Sequence, residues 1–195
     1  MLLLLSFLMS TVMAAAPPGV GDTAPDFTLA DLTGNPRKLS AFTAEGRVVL
    51  VVLRGFPGYQ CPLCNRQVGE LVKNAEGFAK AGVRVVMVYP GPRDVAQSKA
   101  NEFVSDKSLP QHFTLLVDPD YQMVGRYNLR WDAPKETAYP STFVMNRSGK
   151  ITFAKVSDSH GGRSTAAEIL AELRSVRSLA QRPSRASWRS WRRSG

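Results

Sequence analysis

Two cysteines three positions apart are the residues whose type and spacing could carry out chemistry. They are Cys61 and Cys64, the only cysteines of the chain, joined by Pro62 and Leu63. A predicted strand ends shortly before them and a predicted helix begins at Pro62, where the missing N–H of proline costs nothing. Unpaired N–H groups and the helix dipole favour an anion there, so a thiol ionises more readily than a free one. The spacing therefore predicts a pair that switches between dithiol and disulfide.

The residues alone leave three chemistries open for this pair. In a thiol peroxidase, Cys64 would attack the O–O bond, because the first helical turn places it better for N–H donors and the dipole. Cys61 would then condense with the sulfenic acid. In a disulfide exchanger, the more exposed Cys61 would attack and Cys64 would resolve the mixed disulfide. In a copper module, both thiolates would bind Cu(I), with His160 as a third ligand.

Alternating strand and helix patterns predict an α/β fold that positions this pair. The run RVVLVVL at residues 47–53 predicts a strand buried on both faces. Further predicted strands span residues 26–30, 83–89 and 114–117, with an antiparallel hairpin at 142–146 and 150–156. Predicted helices span residues 62–80, 93–106, 120–127 and 165–179. This order indicates a mixed central β-sheet with helices on both faces, in one domain at residues 17–180.

The net charge of +9 does not by itself indicate nucleic-acid binding, because of where the charge lies. The segment 181–195 contributes five arginines and no acid, and removing it leaves +4 for the rest of the chain. A phosphate-tracking groove needs basic residues within the fold, so no nucleic-acid partner is expected. We expect 181–195 to be a disordered basic tail. Two cysteines also exclude a disulfide-stapled scaffold and a four-cysteine metal site.

The first residues predict an exported protein. Residues 1–16 read MLLLLSFLMSTVMAAA, a short apolar run that ends in small residues of the A-x-A cleavage type. The run is shorter than the ~20 residues of a membrane-spanning helix, so the mature chain is expected to lack one. We therefore expect residues 1–16 to be a signal peptide and the protein to be periplasmic or extracellular.

Two segments resemble the peroxiredoxin-like AhpC/TSA branch of the thioredoxin superfamily. Residues 20–29, VGDTAPDFTL, are similar to its G-x-x-A-P-x-F-x-L start. In residues 57–64, PGYQCPLC, Pro57 matches the family's active-site proline, Cys61 falls on its Thr/Ser position and Cys64 on its peroxidatic cysteine. Arg163 lies in a Gly-Arg-Ser string like the one that supplies an active-site arginine, and Pro140 lies in a string that resembles the cis-proline loop of thioredoxins.

The resemblance implies a thioredoxin-like fold and a thiol-based antioxidant enzyme without cofactor or metal. Its substrate would be a hydroperoxide, and an external, thioredoxin-like dithiol would regenerate the pair. A thioredoxin-like protein disulfide reductase with Cys61 as nucleophile is the alternative. Arg163 then faces the thiolate or merely flanks a helix, and Arg54 is another candidate to face the sulfur. His160 is expected in a solvent-facing loop, and Trp131 either shapes the wall of the site or caps the core. The sequence leaves the oligomeric state open.

Overall fold

The computed structural model describes residues 16–180. Residues 1–15 of the predicted signal peptide and the whole basic tail, 181–195, lie outside the described residues. The strands are β1 (Thr28–Asp31), β2 (Pro36–Lys38), β3 (Arg47–Val52), β4 (Val83–Gly91), β5 (Phe113–Pro119), β6 (Ser141–Met145) and β7 (Ile151–Val156). The helices are α1 (Leu39–Glu45), α2 (Pro62–Lys73), α3 (Ala75–Lys80), α4 (Arg93–Val104), α5 (Gln122–Arg126) and α6 (Ala166–Ala180).

These strands form one mixed sheet in the order β2-β1-β5-β4-β3-β6-β7. Strands β3, β4 and β5 are parallel to one another, as strand–helix–strand connections require. The remaining pairings, including the predicted hairpin of β6 with β7, are antiparallel. The predicted α/β class with a mixed central sheet is confirmed.

Helices cover both faces of the sheet, and β3 shows why its sequence is apolar throughout. Val49 and Val51 point into a core formed with α2, α3, α4 and α6. Val48, Leu50 and Val52 point into a second core formed with α1 and α5. Each of these five side chains is fully buried, so the alternation of a strand places every one of them in a core.

The predicted helix at residues 62–80 is two helices, because the chain bends at Asn74. Its backbone has φ −101° and ψ 15°, and its side-chain amide donates to the carbonyl of Glu70 at 2.9 Å. Asparagine offers such side-chain hydrogen bonds as an alternative to continuing the helix. The bend lets Phe78 of α3 turn into the core beside the sheet.

Strand β2 and helix α1 were not predicted, and their sequences explain this. β2 is three exposed residues, and α1 is seven residues long with no side-chain hydrogen bond at its N-cap. The last helix is capped at Thr165, whose hydroxyl accepts from the N–H of Glu168 at 3.1 Å. None of the helices in the described part of the chain combines the length and the apolar character needed to cross a membrane.

Candidate active site

The loop between β3 and α2 carries the cysteines and is fastened to β4. Phe56 donates its backbone N–H to the carbonyl of Pro90 at 3.0 Å. This hydrogen bond continues the pairing of β3 with β4 beyond the end of β3. Gly55 makes this approach possible: its φ is +71°, and a Cβ there would lie 1.9 Å from the Pro90 oxygen. Pro57 is half-buried further along the same loop. The loop therefore delivers Cys61 to a fixed place at the carboxyl ends of the parallel strands.

Cys61 and Cys64 lie where the sequence predicts, at the start of α2. Cys61 is the N-cap with φ −72° and ψ 114°, and Pro62 is the first helical residue. Both are free thiols; Cys61 is 2% exposed and Cys64 is fully buried. The pair is therefore shielded from solvent, and only Cys61 touches the surface.

The thiol of Cys61 is strongly acidified, to a pKa of about 5 from an ordinary 9.0. The largest cause is a hydrogen bond from the thiol of Cys64. Burial opposes ionisation, but the backbone N–H of Cys64 and the guanidinium groups of Arg163 and Arg54 add further stabilisation. At neutral pH the Cys61 sulfur is therefore mostly a thiolate.

Cys64 behaves in the opposite way. Burial, together with the hydrogen bond to Cys61, raises the pKa of Cys64 well above 9.0. The expectation that the first-turn cysteine would benefit most from the N–H donors is therefore wrong. The reason is burial: Cys64 is fully enclosed in the core, and its thiol donates to the Cys61 sulfur, which receives the stabilisation instead.

Arg163 is the cation that faces both sulfurs. Its Nη2 lies 3.5 Å from Cys64 Sγ and 3.9 Å from Cys61 Sγ, so the surface-arginine alternative does not apply. Nη1 donates to Oε1 of Gln67 at 2.8 Å, and Nε donates to the carbonyl of His160 at 3.0 Å. Sequence reasoning missed Gln67, although its position three residues after Cys64 puts it on the same helix face.

Arg54 is the second cation beside Cys61, and it is nearly inaccessible, with 4% of its side chain exposed. Its Nε pairs with Oε2 of Glu136 at 2.7 Å. Its two other nitrogens donate to the hydroxyl of Tyr59 and to the carbonyl of Lys135, each at 2.6 Å. The interpretation that Arg54 faces the sulfur agrees with its contribution to the lowered pKa of Cys61.

A rim of aromatic and acidic residues completes the site. The Nε2 atom of His160 lies 2.9 Å from Oε1 of Glu136, so this histidine has a partner even though its side chain is 42% exposed. The ring of Trp131 packs on His160 at 4.9 Å and stacks on Tyr139 at 4.7 Å between ring centroids. Trp131 therefore shapes the wall of the site. Glu136 was not singled out from the sequence, because nothing in the string around it marks a contact 82 residues away.

Pro140 differs from the thioredoxin pattern that its string resembles. No peptide bond is cis in the described chain, so the expectation of a cis-proline loop is wrong. Pro140 is buried at the start of β6, and its carbonyl accepts from the N–H of Ser157 at 2.9 Å. The extended, trans chain continues the ladder between β6 and β7, which a sharp turn would interrupt.

The copper interpretation has no support from this arrangement. Within residues 16–180, no group of three or more His, Cys, Asp and Glu side chains is placed to hold a metal ion. His160, the third ligand that this interpretation needs, is engaged by Glu136. Arg163 also presents a positive charge to both sulfurs, which disfavours a second cation between them.

Comparison with known proteins gives a consistent result. A sequence model of the AhpC/TSA family matches residues 20–154. A Mycobacterium tuberculosis (strain ATCC 25618 / H37Rv) protein that carries the name of a peroxiredoxin is 32% identical over 140 residues, covering 69% of this chain and 83% of its own length. The thiol-disulfide oxidoreductase ResA of Geobacillus kaustophilus (strain HTA426) is 27% identical over 132 residues, which is 68% of this chain and 66% of ResA.

A solved structure has the same fold as this chain. The peroxidoxin BcpB from Mycobacterium tuberculosis superposes with a TM-score of 0.66 and 26% identity, covering 81% of this chain and 97% of BcpB. Peroxiredoxins and thiol-disulfide oxidoreductases both work through reactive thiols, and this chain has two thiols side by side at the start of α2. The chain is therefore a peroxiredoxin-like thiol oxidoreductase and belongs to the AhpC/TSA family.

Proposed function

We propose that the protein reduces hydroperoxides and that Cys61, not Cys64, is the sulfur that attacks. The observation that carries this proposal is the opposite acidity of the two thiols: the pKa of Cys61 is lowered to about 5, whereas that of Cys64 is raised. Only a thiolate is an effective nucleophile, so at neutral pH Cys61 is ready and Cys64 is not.

The two thiols then divide the reaction between them. The Cys61 thiolate attacks one peroxide oxygen, the O–O bond breaks, and the leaving alkoxide takes a proton to become an alcohol. Cys61 is now a sulfenic acid, oxidised by two electrons. The sulfur of Cys64 attacks it, forming the disulfide, while the Cys64 proton and the sulfenic hydroxyl leave as water. An external dithiol accepts the disulfide by exchange and returns both thiols.

Access to the sulfur favours a small substrate. Cys61 is 2% exposed, and the side chains of Arg54 and Arg163 face it. A hydroperoxide can enter where a folded protein disulfide would first need the loop to move. The same two guanidinium groups can stabilise the negative charge that develops on the leaving oxygen.

Exchange with protein disulfides is the second candidate, and the acidic N-cap cysteine favours it. In this reaction the Cys61 thiolate attacks a substrate sulfur, one substrate thiolate leaves, and Cys64 resolves the mixed disulfide. The low pKa of Cys61 suits attack on a disulfide sulfur as well as attack on a peroxide oxygen. ResA, which bears the name of a thiol-disulfide oxidoreductase, is a relative of this chain.

Single-cysteine variants test the assignment by stopped-flow reaction with one equivalent of hydrogen peroxide. We expect Cys64→Ser to consume one peroxide per chain and stop at a sulfenic acid on Cys61, detectable by a sulfenic-acid-specific reagent and mass spectrometry. Cys61→Ser should react no faster than a free thiol, because the remaining Cys64 is fully buried and its pKa is raised. A fast reaction of Cys61→Ser would overturn the assignment. Reduction of insulin disulfides by the wild type at a rate above that of peroxide turnover would replace the first candidate with the second.

We also infer that the protein is exported, from the apolar leader and the small residues Ala14, Ala15 and Ala16. An oxidising compartment would keep the pair as a disulfide until a reductant arrives. N-terminal sequencing of the protein from the periplasmic or culture fraction should find a terminus at Pro17. A full-length product in the cytoplasm would contradict export without affecting the assignment of Cys61.

A further inference from the structure

Glu136 is a buried carboxylate that no step of the proposed reaction uses. Its side chain is 11% exposed, and both oxygens are engaged: Oε2 with Arg54 at 2.7 Å and Oε1 with His160 at 2.9 Å. Burial alone would raise its pKa, but the hydrogen bonds from Arg54 and His160 outweigh it and lower the pKa of Glu136. The group is therefore an anion at neutral pH. It pairs with Arg54, which in turn acts on the reactive sulfur of Cys61.

The guanidinium of Arg54 is shared between two anions. Its other hydrogen-bond partners, the Tyr59 hydroxyl and the Lys135 carbonyl, are neutral, so its charge is paired with Glu136 and also contributes to lowering the pKa of Cys61. In a site with little solvent these two interactions compete, because a cation already paired with a carboxylate stabilises a second anion less. The charge of Glu136 therefore bears on how firmly the thiolate is held.

His160 keeps the carboxylate in this arrangement and joins it to the other cation. Its ring holds the second oxygen of Glu136, and its carbonyl accepts from Nε of Arg163 at 3.0 Å. The groups that act on the Cys61 sulfur are thus the guanidinium groups of Arg54 and Arg163 and the neutral thiol of Cys64. Glu136 contacts Arg54 directly and is linked to Arg163 only through His160.

We propose that Glu136 is a positioning residue that tempers the charge of Arg54 at Cys61, so that the sulfur is ionised without being held too firmly to react. This inference rests on the proposed function, in which Cys61 attacks. A thiolate loses nucleophilicity as its stability rises, by about threefold for each pKa unit at a Brønsted slope of ~0.45. A site with two unopposed arginines would be fully ionised but slower.

The test replaces Glu136 in a Cys64→Ser background, so that one sulfur titrates and reacts. We expect Glu136→Gln to move the midpoint of the ultraviolet thiolate titration to lower pH. The rate of peroxide reaction, measured where both proteins are fully ionised, should fall by about threefold per unit of that shift. Glu136→Asp, which keeps the charge, should restore both values. Glu45→Gln is the matched control, because it removes a carboxylate from an exposed Glu–Arg pair of 2.8 Å.

A midpoint that stays or rises in Glu136→Gln, with the rate unchanged, would overturn the inference. If Glu136→Gln fails to fold, Glu136→Ala removes the same charge without a polar group to satisfy and must give the same downward shift. Failure of the proposed function looks different: the low-pH titration would then persist in Cys61→Ser, whatever stands at position 136. If the low-pH titration belongs to Cys61 but its midpoint is the same with and without the Glu136 carboxylate, only the inference fails.

Discussion

Gln67 accepts a hydrogen bond of 2.8 Å from Nη1 of Arg163, and this contact orients the guanidinium toward the two sulfurs. The amide nitrogen of Gln67 also donates to the carbonyl of Ser164 at 3.4 Å. Helix α2 therefore carries both the cysteines and the residue that positions their cation. The loop before α6 brings Arg163 to Gln67 on α2, where the hydrogen bond fixes the guanidinium beside the sulfurs.

Replacing Gln67 should weaken the acidity of Cys61. Gln67→Leu keeps the size of the side chain but removes the acceptor, so Arg163 should lie over the sulfurs for less of the time. Because Arg163 lowers the pKa of Cys61, we expect that pKa to rise, as measured by thiolate absorbance against pH. Gln97→Leu makes the same chemical change on α4 and should leave the titration unaltered. Equal titrations in the two variants would show that Arg163 holds its place without Gln67.

The stability of the reduced protein should depend on pH through Cys61. Its pKa is about 5 in the folded state, below the 9.0 of an ordinary thiol, so the folded state holds a thiolate that the unfolded state holds as a thiol. This stabilisation is complete above pH 9 and is lost as the pH falls toward 5, by at most ~1.4 kcal/mol per pH unit. Urea unfolding under reducing conditions, compared with Cys61→Ser, measures it. A difference between the two proteins that is constant across this range would contradict the expectation.

Mild oxidation should join Cys61 to Cys64 within one chain. Both sulfurs lie within reach of one guanidinium nitrogen, at 3.9 Å and 3.5 Å, and both are too buried to meet the same cysteine of a second chain readily. The extended backbone of Cys61 at the N-cap gives the first sulfur freedom to approach the second. Peptide mapping should find this disulfide. The oxidised protein should also migrate as a monomer in a denaturing gel run without reductant. Crosslinked chains as the main product would count against it.

The core behind the site should be sensitive to cavities. Phe143 is fully buried in β6 and meets the ring of Tyr127 edge-on at 5.7 Å between centroids. Phe143→Ala should reduce the free energy of unfolding by about 3–5 kcal/mol, because the cavity adds to the lost burial. Val156→Ala, at a residue 39% exposed on β7, should change it by less than ~0.5 kcal/mol. Urea unfolding of the oxidised forms compares them without the thiol titration.

The sequence predicts most of the sheet, since long apolar strands leave a strong pattern. The runs that became β3 and β4 are buried on both faces, and the hairpin of β6 and β7 is marked by the turn at Ser148 and Gly149. Strand β2 carries no such pattern, because three exposed residues pair at a sheet edge whatever their hydrophobicity.

The site is predictable only where its residues are close in sequence. Cys61 and Cys64 are found from their spacing, but their acidities depend on the burial of Cys64 and on the hydrogen bond between the two thiols, which spacing does not give. The contact of Arg54 with Glu136 spans 82 residues, and that of Arg163 with Gln67 spans 96. Only the folded sheet brings such pairs together.

Gly55 has a consequence for how this protein can vary. Even a methyl group at this position would lie 1.9 Å from the carbonyl oxygen of Pro90, so the chain from β3 would have to lift away from β4. That displacement would carry Cys61 with it and away from Arg163, although no charge or sulfur had been altered. A change of backbone position at residue 55 alone would thus alter the pKa of Cys61, because Arg163 helps to lower it. A natural variant without glycine there must also differ where β4 ends.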